Sequence, residues 1–156
     1  MIFAIDAGNI YSAYVLIEDD MSRMTAFDKI ENDKLLDILD TLPKKTVIVY
    51  EMIKSQGMAV GQTTFDTCLW IGRFIQKAVS LGMRVEPIYR YEEKINICNS
   101  MKAKDTNIRQ ALIDNFAKHD LKNGKGTKEN PDYFYGFRAD IWMAFAVAYT
   151  YYIKQR

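Results

Sequence analysis

Three acidic residues of this chain lie on or beside apolar segments, at widely separated positions. Asp6 follows the apolar run IFAI, Glu51 follows VIVY, and Asp140 stands at the start of the last apolar segment. A carboxylate beside a core is costly unless something pairs with it, and Mg²⁺ prefers hard oxygen ligands. If the three side chains converge in the fold, they form a site for a divalent cation.

Each of these acids also has an ordinary structural interpretation. Asp6 precedes Ala7 and Gly8, where aspartate often closes a turn. Glutamate at a strand end is often solvated, and aspartate near a helix start is often a cap or a first-turn acid. The joint placement of the three acids at the ends of neighbouring elements favours a shared site.

Five segments have the composition of β-strands. They are IFAID, YSAYVLIED, Met24 to Ile30, TVIVYEM and MRVEPIYRY. The first two form a predicted hairpin, and TVIVYEM is apolar enough to be covered on both faces. Pro87 places the last strand at an edge or a bulge.

Four segments show the apolar spacing of helices. The first is capped by Asn32 and runs through Leu42, the second covers about Phe65 to Leu81, the third opens with an Asp105 cap, and the last starts near Arg138. One face of the second helix is expected in the core and another at a dimer seam. Its main apolar stripe comprises Phe65, Leu69, Gly72, Gln76 and Val79. The tracts KSQGMAVGQTT and 118–130 are predicted loops.

Strands that come first in a meander and then alternate with helices predict an α/β fold, with a mixed sheet covered by helices on both faces. The length of 156 residues and the 49% hydrophobic content fit one domain over residues 1–156. In such a sheet, neighbouring strand ends can bring Asp6 and Glu51 together. The start of the last helix can deliver Asp140.

Composition limits the classes of partner. The 21 basic residues nearly balance the 20 acidic ones, so any anionic partner must be held by a local patch. No leader peptide and no apolar run of membrane-spanning length are apparent, which predicts a cytoplasmic protein with no membrane partner. Cys68 and Cys98 are expected to be reduced, packed thiols.

Several short motifs together resemble a known family. IDAG with a following strand, VIVYEM after the first helix, and a last helix that begins ADIW are similar to the ribonuclease H-like fold, with its mixed five-stranded sheet. Within it, the chain resembles the RuvC-type Holliday junction resolvases. The segments NIRQALIDNF and RADIWMAFAVA resemble the phage-encoded form of that family.

The resemblance implies an Mg²⁺-dependent endodeoxyribonuclease, with Mn²⁺ able to substitute, that acts as a homodimer on four-way DNA junctions in a bacterial cytoplasm. It implies that Asp6 bridges two ions, while Glu51 and Asp140 each complete one of them. Bacterial members usually carry a further acidic or imidazole ligand one turn before the last aspartate. Phe137 stands there in this chain, so either three carboxylates suffice or Asp132 supplies the fourth ligand.

The resemblance also points to DNA contacts. Family members keep a lysine near the scissile phosphate, which implies such a role for Lys104 and its neighbour Lys102, and Arg109 is a further candidate. The glycine-containing tract with Lys118, Lys122, Lys125 and Lys128 is either a solvated loop or a mobile arm for phosphates. The loop that follows Glu51 corresponds to the stretch that the family inserts into the junction. Tyr89, Arg90 and Tyr91 either form half of a strand core or stack on splayed bases.

Two other functions remain open. The chain can be a non-catalytic dimer of the same fold that binds branched DNA with a weakened metal site. Sugar-kinase and pantothenate-kinase domains also begin with a strand, Asp and Gly followed by a hairpin, although 156 residues with eight glycines leave little room for their second lobe.

Overall fold

A computed structural model describes residues 1–156, which form an α/β fold around one mixed sheet. The strands are β1 (Ile2–Asp6), β2 (Tyr11–Ile17), β3 (Met24–Glu31), β4 (Val47–Met52) and β5 (Arg84–Tyr89). Their order across the sheet is β3-β2-β1-β4-β5. The pairs β3/β2 and β2/β1 are antiparallel, whereas β1/β4 and β4/β5 are parallel. The predicted hairpin and the edge position of the strand that contains Pro87 are confirmed.

Helices cover both faces of this sheet, as predicted. They are α1 (Asn32–Thr41), α2 (Gln62–Ser80), α3 (Arg90–Cys98), α4 (Asp105–Phe116) and α5 (Ile141–Lys154). One face packs a core with α4 and α5, and the other face packs a second core with α1 and α2. The central strands are therefore buried on both sides, which explains why their sequences are nearly continuous apolar runs.

Helix α5 is the centre of the larger core. Its side chains are apolar around most of the circumference, and nine of its residues from Ile141 to Tyr151 are buried. Aromatic rings from the preceding segment pack on it, with Phe134 and Phe137 both in edge-to-face contact with Phe145. The predicted burial of the last helix is confirmed, although the helix begins at Ile141 rather than near Arg138.

The face of helix α2 that packs against the sheet is not its main apolar stripe. Its buried residues are Thr67, Ile71, Phe74 and Ala78. The main apolar stripe faces solvent, and Phe65, Leu69 and Val79 are exposed. Since the helix carries two apolar stripes, packing against the sheet decides which of them is buried.

Three local predictions were wrong. The segment after β5 is not a continued strand, because α3 begins at Arg90. Asn32 is not a cap but the buried first residue of α1. Asp105 is the first residue of α4 and binds a side chain from α3, while Lys104 occupies the N-cap position.

Two further properties follow from the fold. None of the five helices combines the length and the apolar character that crossing a bilayer requires. Both cysteines, Cys68 and Cys98, are free thiols.

Candidate active site

Sheet geometry places Asp6 and Glu51 side by side. Ile5 pairs with Tyr50 across the parallel β1/β4 ladder, and each acid is the next residue of its strand. Side chains alternate along a strand, so Asp6 shares the face of Ala4 and Glu51 the face of Val49, both of which lie in the core under α5. The two acids therefore point to the same side of the sheet, at its carboxyl edge.

Asp140 reaches the same side from the start of α5. It occupies the N-cap position of that helix, and its charge acts on Asp6. Its Oδ2 lies 2.6 Å from Lys29 Nζ on β3. A second pair, Arg138 Nη2 to Asp28 Oδ1 at 2.7 Å, ties the same segment to β3. Asp140 therefore lies near Asp6, on the same side of the sheet as the two strand-end acids.

Helix α3 adds two charged residues to this site, Arg90 and Glu93, which the sequence did not place there. Glu93 is completely buried, and its Oε2 accepts a hydrogen bond from Arg90 Nη1. The Arg90 guanidinium also binds Asp105 at the start of α4. Arg90 is close enough to Asp6 and Glu51 to act on both of their charges.

The electrostatics show how tightly these acids are packed. Burial, followed by the charges of Glu51 and Asp140, raises the pKa of Asp6 from 3.8 to about 8. Burial also raises the pKa of Glu51, although the charge of Arg90 and a hydrogen bond with Asp6 partly offset that increase. The pKa of Glu93 rises to about 8 because it is buried and lies near the charge of Glu51. Perturbed acids that cluster at a strand edge are typical of functional sites.

A buried polar network holds the turn that follows Asp6. Asn32 Nδ2 donates to the carbonyl of Gly8 at 2.9 Å, and Asn32 Oδ1 accepts from Ser12 Oγ at 2.6 Å. Ser12 Oγ accepts in turn from the Gly8 amide at 3.1 Å. A Cβ at Gly8 would stand 2.3 Å from the Tyr11 carbonyl oxygen, so this turn requires glycine. Asn32 therefore stabilises the turn rather than capping α1.

The structure gives Asp132 a role other than the proposed fourth ligand. It is buried, and its two oxygens accept backbone N–H bonds of 2.7–3.1 Å from Lys118, His119, Asp120 and Tyr133. These bonds hold the pKa of Asp132 well below its usual range despite burial. The suggestion that Asp132 completes a metal site is therefore wrong. Phe137 is also committed to the core.

The two sets of basic residues lie in different places. Lys104 and Lys102 are exposed just ahead of α4, and Asp105 links that point to Arg90, so they flank the acid cluster. Arg109 lies over the Trp142 ring, with its guanidinium carbon 4.5 Å from the ring centroid. Its assignment as a DNA contact stays a prediction.

The lysine loop, residues 118–130, is anchored at the other end of the sheet. Tyr133 donates its hydroxyl to Met21 O in the β2–β3 turn at 2.5 Å. That turn follows Ile17, which pairs with Ile2 at the end of β1 opposite Asp6. Asp120 accepts amide hydrogen bonds from Asn123, Lys125 and Gly126 within the loop. These bonds and those of Asp132 give the loop a defined shape, instead of the flexible arm that its glycines suggested.

An open cleft adjoins the acid cluster beside Glu51. It has a volume of about 320 Å³, and Lys54, Tyr89, Arg90 and Tyr91 contribute to its lining. The two tyrosine rings are stacked with centroids 5.9 Å apart, and Lys54 Nζ lies 5.2 Å from the Tyr91 centroid. The loop 53–61, which carries Lys54, is exposed and has no regular structure. The predicted loop is confirmed.

The sequence did not place Lys29, Arg90 or Glu93 at the acid cluster, although Arg90 was a candidate for stacking on DNA bases. A signal for α3 was present in the sequence. Glu92 accepts a hydrogen bond from the Tyr89 amide at 2.8 Å, which is the N-terminal half of a capping box. Asn99 ends the helix at φ 54°, a position that asparagine tolerates. No local signal marked Lys29, because its partner Asp140 lies 111 residues away.

Hard oxygen donors dominate this cluster, as a divalent cation would require. In the arrangement shown, no three His, Cys, Asp or Glu side chains surround a single point closely enough to hold an ion. Lys29 pairs with Asp140 and Arg90 pairs with Glu93. Glu93 Oε1 is nevertheless buried without any hydrogen-bond partner. An unpaired buried oxygen next to other carboxylates fits a cation ligand.

Comparisons with known proteins identify the fold. No protein-family profile and no curated sequence matches the chain. A solved structure of Thermus thermophilus RuvC matches with a TM-score of 0.67 and 15% identity, over 99% of this chain and 95% of that one. T. thermophilus RuvC in complex with Holliday junction substrate matches with a TM-score of 0.69 and 14% identity, over 99% and 94%. The expected five-stranded fold is confirmed, and the chain has the ribonuclease H-like fold of RuvC.

Proposed function

We propose that this protein is a metal-dependent endonuclease that cleaves branched DNA, with four-way junctions as its principal substrate. The observation that carries the proposal is the convergence of Asp6, Glu51 and Asp140 at the carboxyl edge of β1 and β4. The shared fold with a RuvC that was solved with Holliday junction substrate supports the choice of DNA. Independent structural roles, with Asp6 in a turn, Glu51 solvated at a strand end and Asp140 as a helix cap, do not explain why the charges of Glu51 and Asp140 both act on Asp6.

The carboxylates would hold Mg²⁺ or Mn²⁺, and two such ions supply activation of a water and stabilisation of the leaving oxygen in phosphodiester hydrolysis. Asp6 is the central ligand in this proposal, because Glu51 and Asp140 both act on it. The exposed Lys104 approaches the phosphate from the start of α4 and stabilises charge that develops during cleavage.

The DNA is proposed to contact this chain in three regions. Lys102 and Lys104 lie beside the acids, and the aromatic cleft beside Glu51 has room for an unpaired base that stacks on Tyr91. Arg109 is a further proposed DNA contact, through the edge of the guanidinium group that lies over the Trp142 ring. The lysine loop, with Lys118, Lys122, Lys125 and Lys128, would hold the phosphates of a duplex arm away from the cut.

Two opposed strands of a junction require two active sites, which a homodimer supplies. The exposed stripe of α2 is the proposed dimer surface, because Phe65 and Leu69 are both more than half exposed. Ile10 continues this apolar surface across a cleft of about 430 Å³ that is lined in part by Leu69 and Trp70. Exposed apolar side chains grouped in this way are typical of an association surface. A phage origin and a location in bacterial cytoplasm complete the proposal.

The test is cleavage of a synthetic four-way junction by Asp6→Asn. The variant is expected to lose detectable cleavage with Mg²⁺ or Mn²⁺ and to retain junction binding in a gel-shift assay, because the lysines are untouched. Asp37→Asn is the matched control, since Asp37 is exposed on α1 on the other face of the sheet. Equal cleavage by the Asp6 variant and wild type would overturn the assignment.

A non-catalytic junction-binding dimer is the second candidate. The observation that favours it is Phe137, a buried core residue at the position where the family usually has a metal ligand. Wild-type protein that binds the junction but never nicks it with either cation would establish this function instead.

A further inference from the structure

Glu93 is a fully buried acid that the proposed cleavage does not use. It lies on α3 with 0% of its surface exposed. Arg90 Nη1 donates to its Oε2, whereas its Oε1 has no hydrogen-bond donor. A buried carboxylate oxygen without a partner is rare in folded proteins and costs stability.

The surroundings of Glu93 add to that cost. The nearby charges of Glu51 and Asp6 both oppose its ionisation, and only Arg90 favours it. An apolar side chain of similar size would fill this position without the penalty. The arrangement is therefore unfavourable for the fold alone, and it becomes favourable when a cation binds the free oxygen.

Arg90 fixes the orientation of this carboxylate. Its guanidinium binds Glu93 and Asp105, and Nη1 also lies 3.3 Å from Met143 Sδ on α5. These contacts join α3, α4 and α5 around one side chain. Because Arg90 binds Oε2, the oxygen of Glu93 that is free to bind a cation is Oε1.

The charges around the cluster are also unbalanced. Asp6, Glu51, Glu93 and Asp140 are carboxylates, as is Asp105, which shares Arg90 with Glu93, and the paired cations are Lys29 and Arg90. If all five acids are ionised, the excess of negative charge favours the binding of divalent cations.

We propose that Glu93 is a fourth acidic ligand of the metal site, and that α3 supplies the donor that Phe137 cannot supply from the segment before α5. The proposal rests on the proposed function, because it assumes a divalent cation at the acid cluster. It makes Arg90 a positioning residue, which orients Glu93 and does not contact the cation.

The test measures Mn²⁺ binding to the full chain without DNA. Calorimetry gives the affinity and stoichiometry, and the Mn²⁺ electron paramagnetic resonance signal gives an independent measure of bound ion. Glu93→Gln removes the charge with little change in shape, and it is expected to weaken Mn²⁺ binding by about tenfold or more or to abolish binding of one ion. Glu92→Gln is the control on the same helix, because Glu92 pairs with Lys154 instead of the cluster. Wild-type affinity and stoichiometry in a folded Glu93→Gln variant would overturn the proposal.

If Glu93→Gln does not fold, a second variant tests whether Glu93 binds the cation. Glu93→Asp keeps the negative charge and withdraws the oxygens by one carbon–carbon bond, about 1.5 Å. Weakened Mn²⁺ binding by this variant supports ligation by Glu93, and unchanged binding overturns it. If wild type cleaves the junction and both Glu93 variants bind Mn²⁺ normally, only this inference fails. If wild type binds no Mn²⁺ with or without junction DNA, the metal-dependent function fails with it.

Discussion

Lys29 Nζ lies 2.6 Å from Asp140 Oδ2, across 111 residues of sequence. Lys29 pairs with Ala13 on β2, and Ala13 pairs with Asp6 on β1, so Lys29 and Asp6 lie in one row across the sheet. Lys29 therefore lies beside the acid cluster and neutralises Asp140 at the start of α5. A divalent cation that binds Asp140 must compete with it.

Replacement of Lys29 by methionine tests this competition. Lys29→Met is expected to tighten Mn²⁺ binding, because Asp140 is released from its ion pair. Asp140 is half exposed, and pairs of this kind contribute about 1 kcal/mol or less, so the gain should be about fivefold at most. Calorimetric titration with Mn²⁺ measures it.

Arg138→Met provides the control for the Lys29 experiment. It breaks the neighbouring pair with Asp28 without touching an acid of the cluster, so Mn²⁺ affinity should stay unchanged. Weaker binding by Lys29→Met would show the opposite relationship, in which the lysine positions Asp140 for the cation.

The stability of the metal-free protein should fall as pH rises. The pKa of Asp6 is raised from 3.8 to about 8, and that of Glu93 from 4.5 to about 8. Between about pH 4 and pH 8 the folded state holds protons that the unfolded state has released, so ionisation favours unfolding. Thermal unfolding in a chelator should give a Tm that decreases from about pH 5.5 to pH 8.5.

Two further measurements check the source of this pH dependence. Asp6→Asn and Glu93→Gln should each flatten the Tm profile, since Asn and Gln do not ionise. The charges that face these acids are Glu51, Asp140 and Arg90. Mg²⁺ should stabilise the protein more at high pH, because its ligands must be deprotonated. A wild-type Tm that rises through the same pH window would contradict the buried-acid interpretation.

The lysine loop should contribute to the salt dependence of DNA binding. Removal of one lysine that binds a phosphate reduces the slope of log K against log salt by about 1, so Lys122→Ala, Lys125→Ala and Lys128→Ala combined should reduce it by up to about 3. Fluorescence anisotropy with a labelled junction at several salt concentrations gives the slope. The combined control Lys34→Ala, Lys44→Ala and Lys45→Ala removes the same charge. A larger effect of the control would place the DNA on the surface that carries Lys34, Lys44 and Lys45.

The sheet and the three acids were predictable because local pattern and topology agree. Buried strands have short apolar runs, and parallel strands end at the same edge of a sheet, so Asp6 and Glu51 at such ends were expected to meet. The start of the last helix was expected to deliver Asp140, and the resemblance to a known family supported that expectation. The shared placement of these acids did not require knowledge of any side-chain rotamer.

The remaining features depend on tertiary contacts. Helix α3 has nine residues and no clear apolar stripe, so the sequence did not predict it, and its first two residues, Arg90 and Tyr91, were assigned to the preceding strand. The two stripes of α2 are both apolar, and only packing shows that Phe74 is buried and Leu69 exposed. Asp132 was a candidate fourth metal ligand by sequence, whereas in the fold it accepts hydrogen bonds from the backbone of the lysine loop. The local sequence does not predict these tertiary contacts.

Helix α5 combines two roles that are separate in many enzymes. It fills the largest core of the molecule, and Asp140 at its start completes the acid cluster. In chain order it follows every other element. During translation, Asp6 and Glu51 therefore emerge long before their partner, and a nascent chain on the ribosome has neither a closed interior nor a complete set of acids. Under the proposed function, a chain that ends before Asp140 would therefore lack both its main core and its cleavage activity.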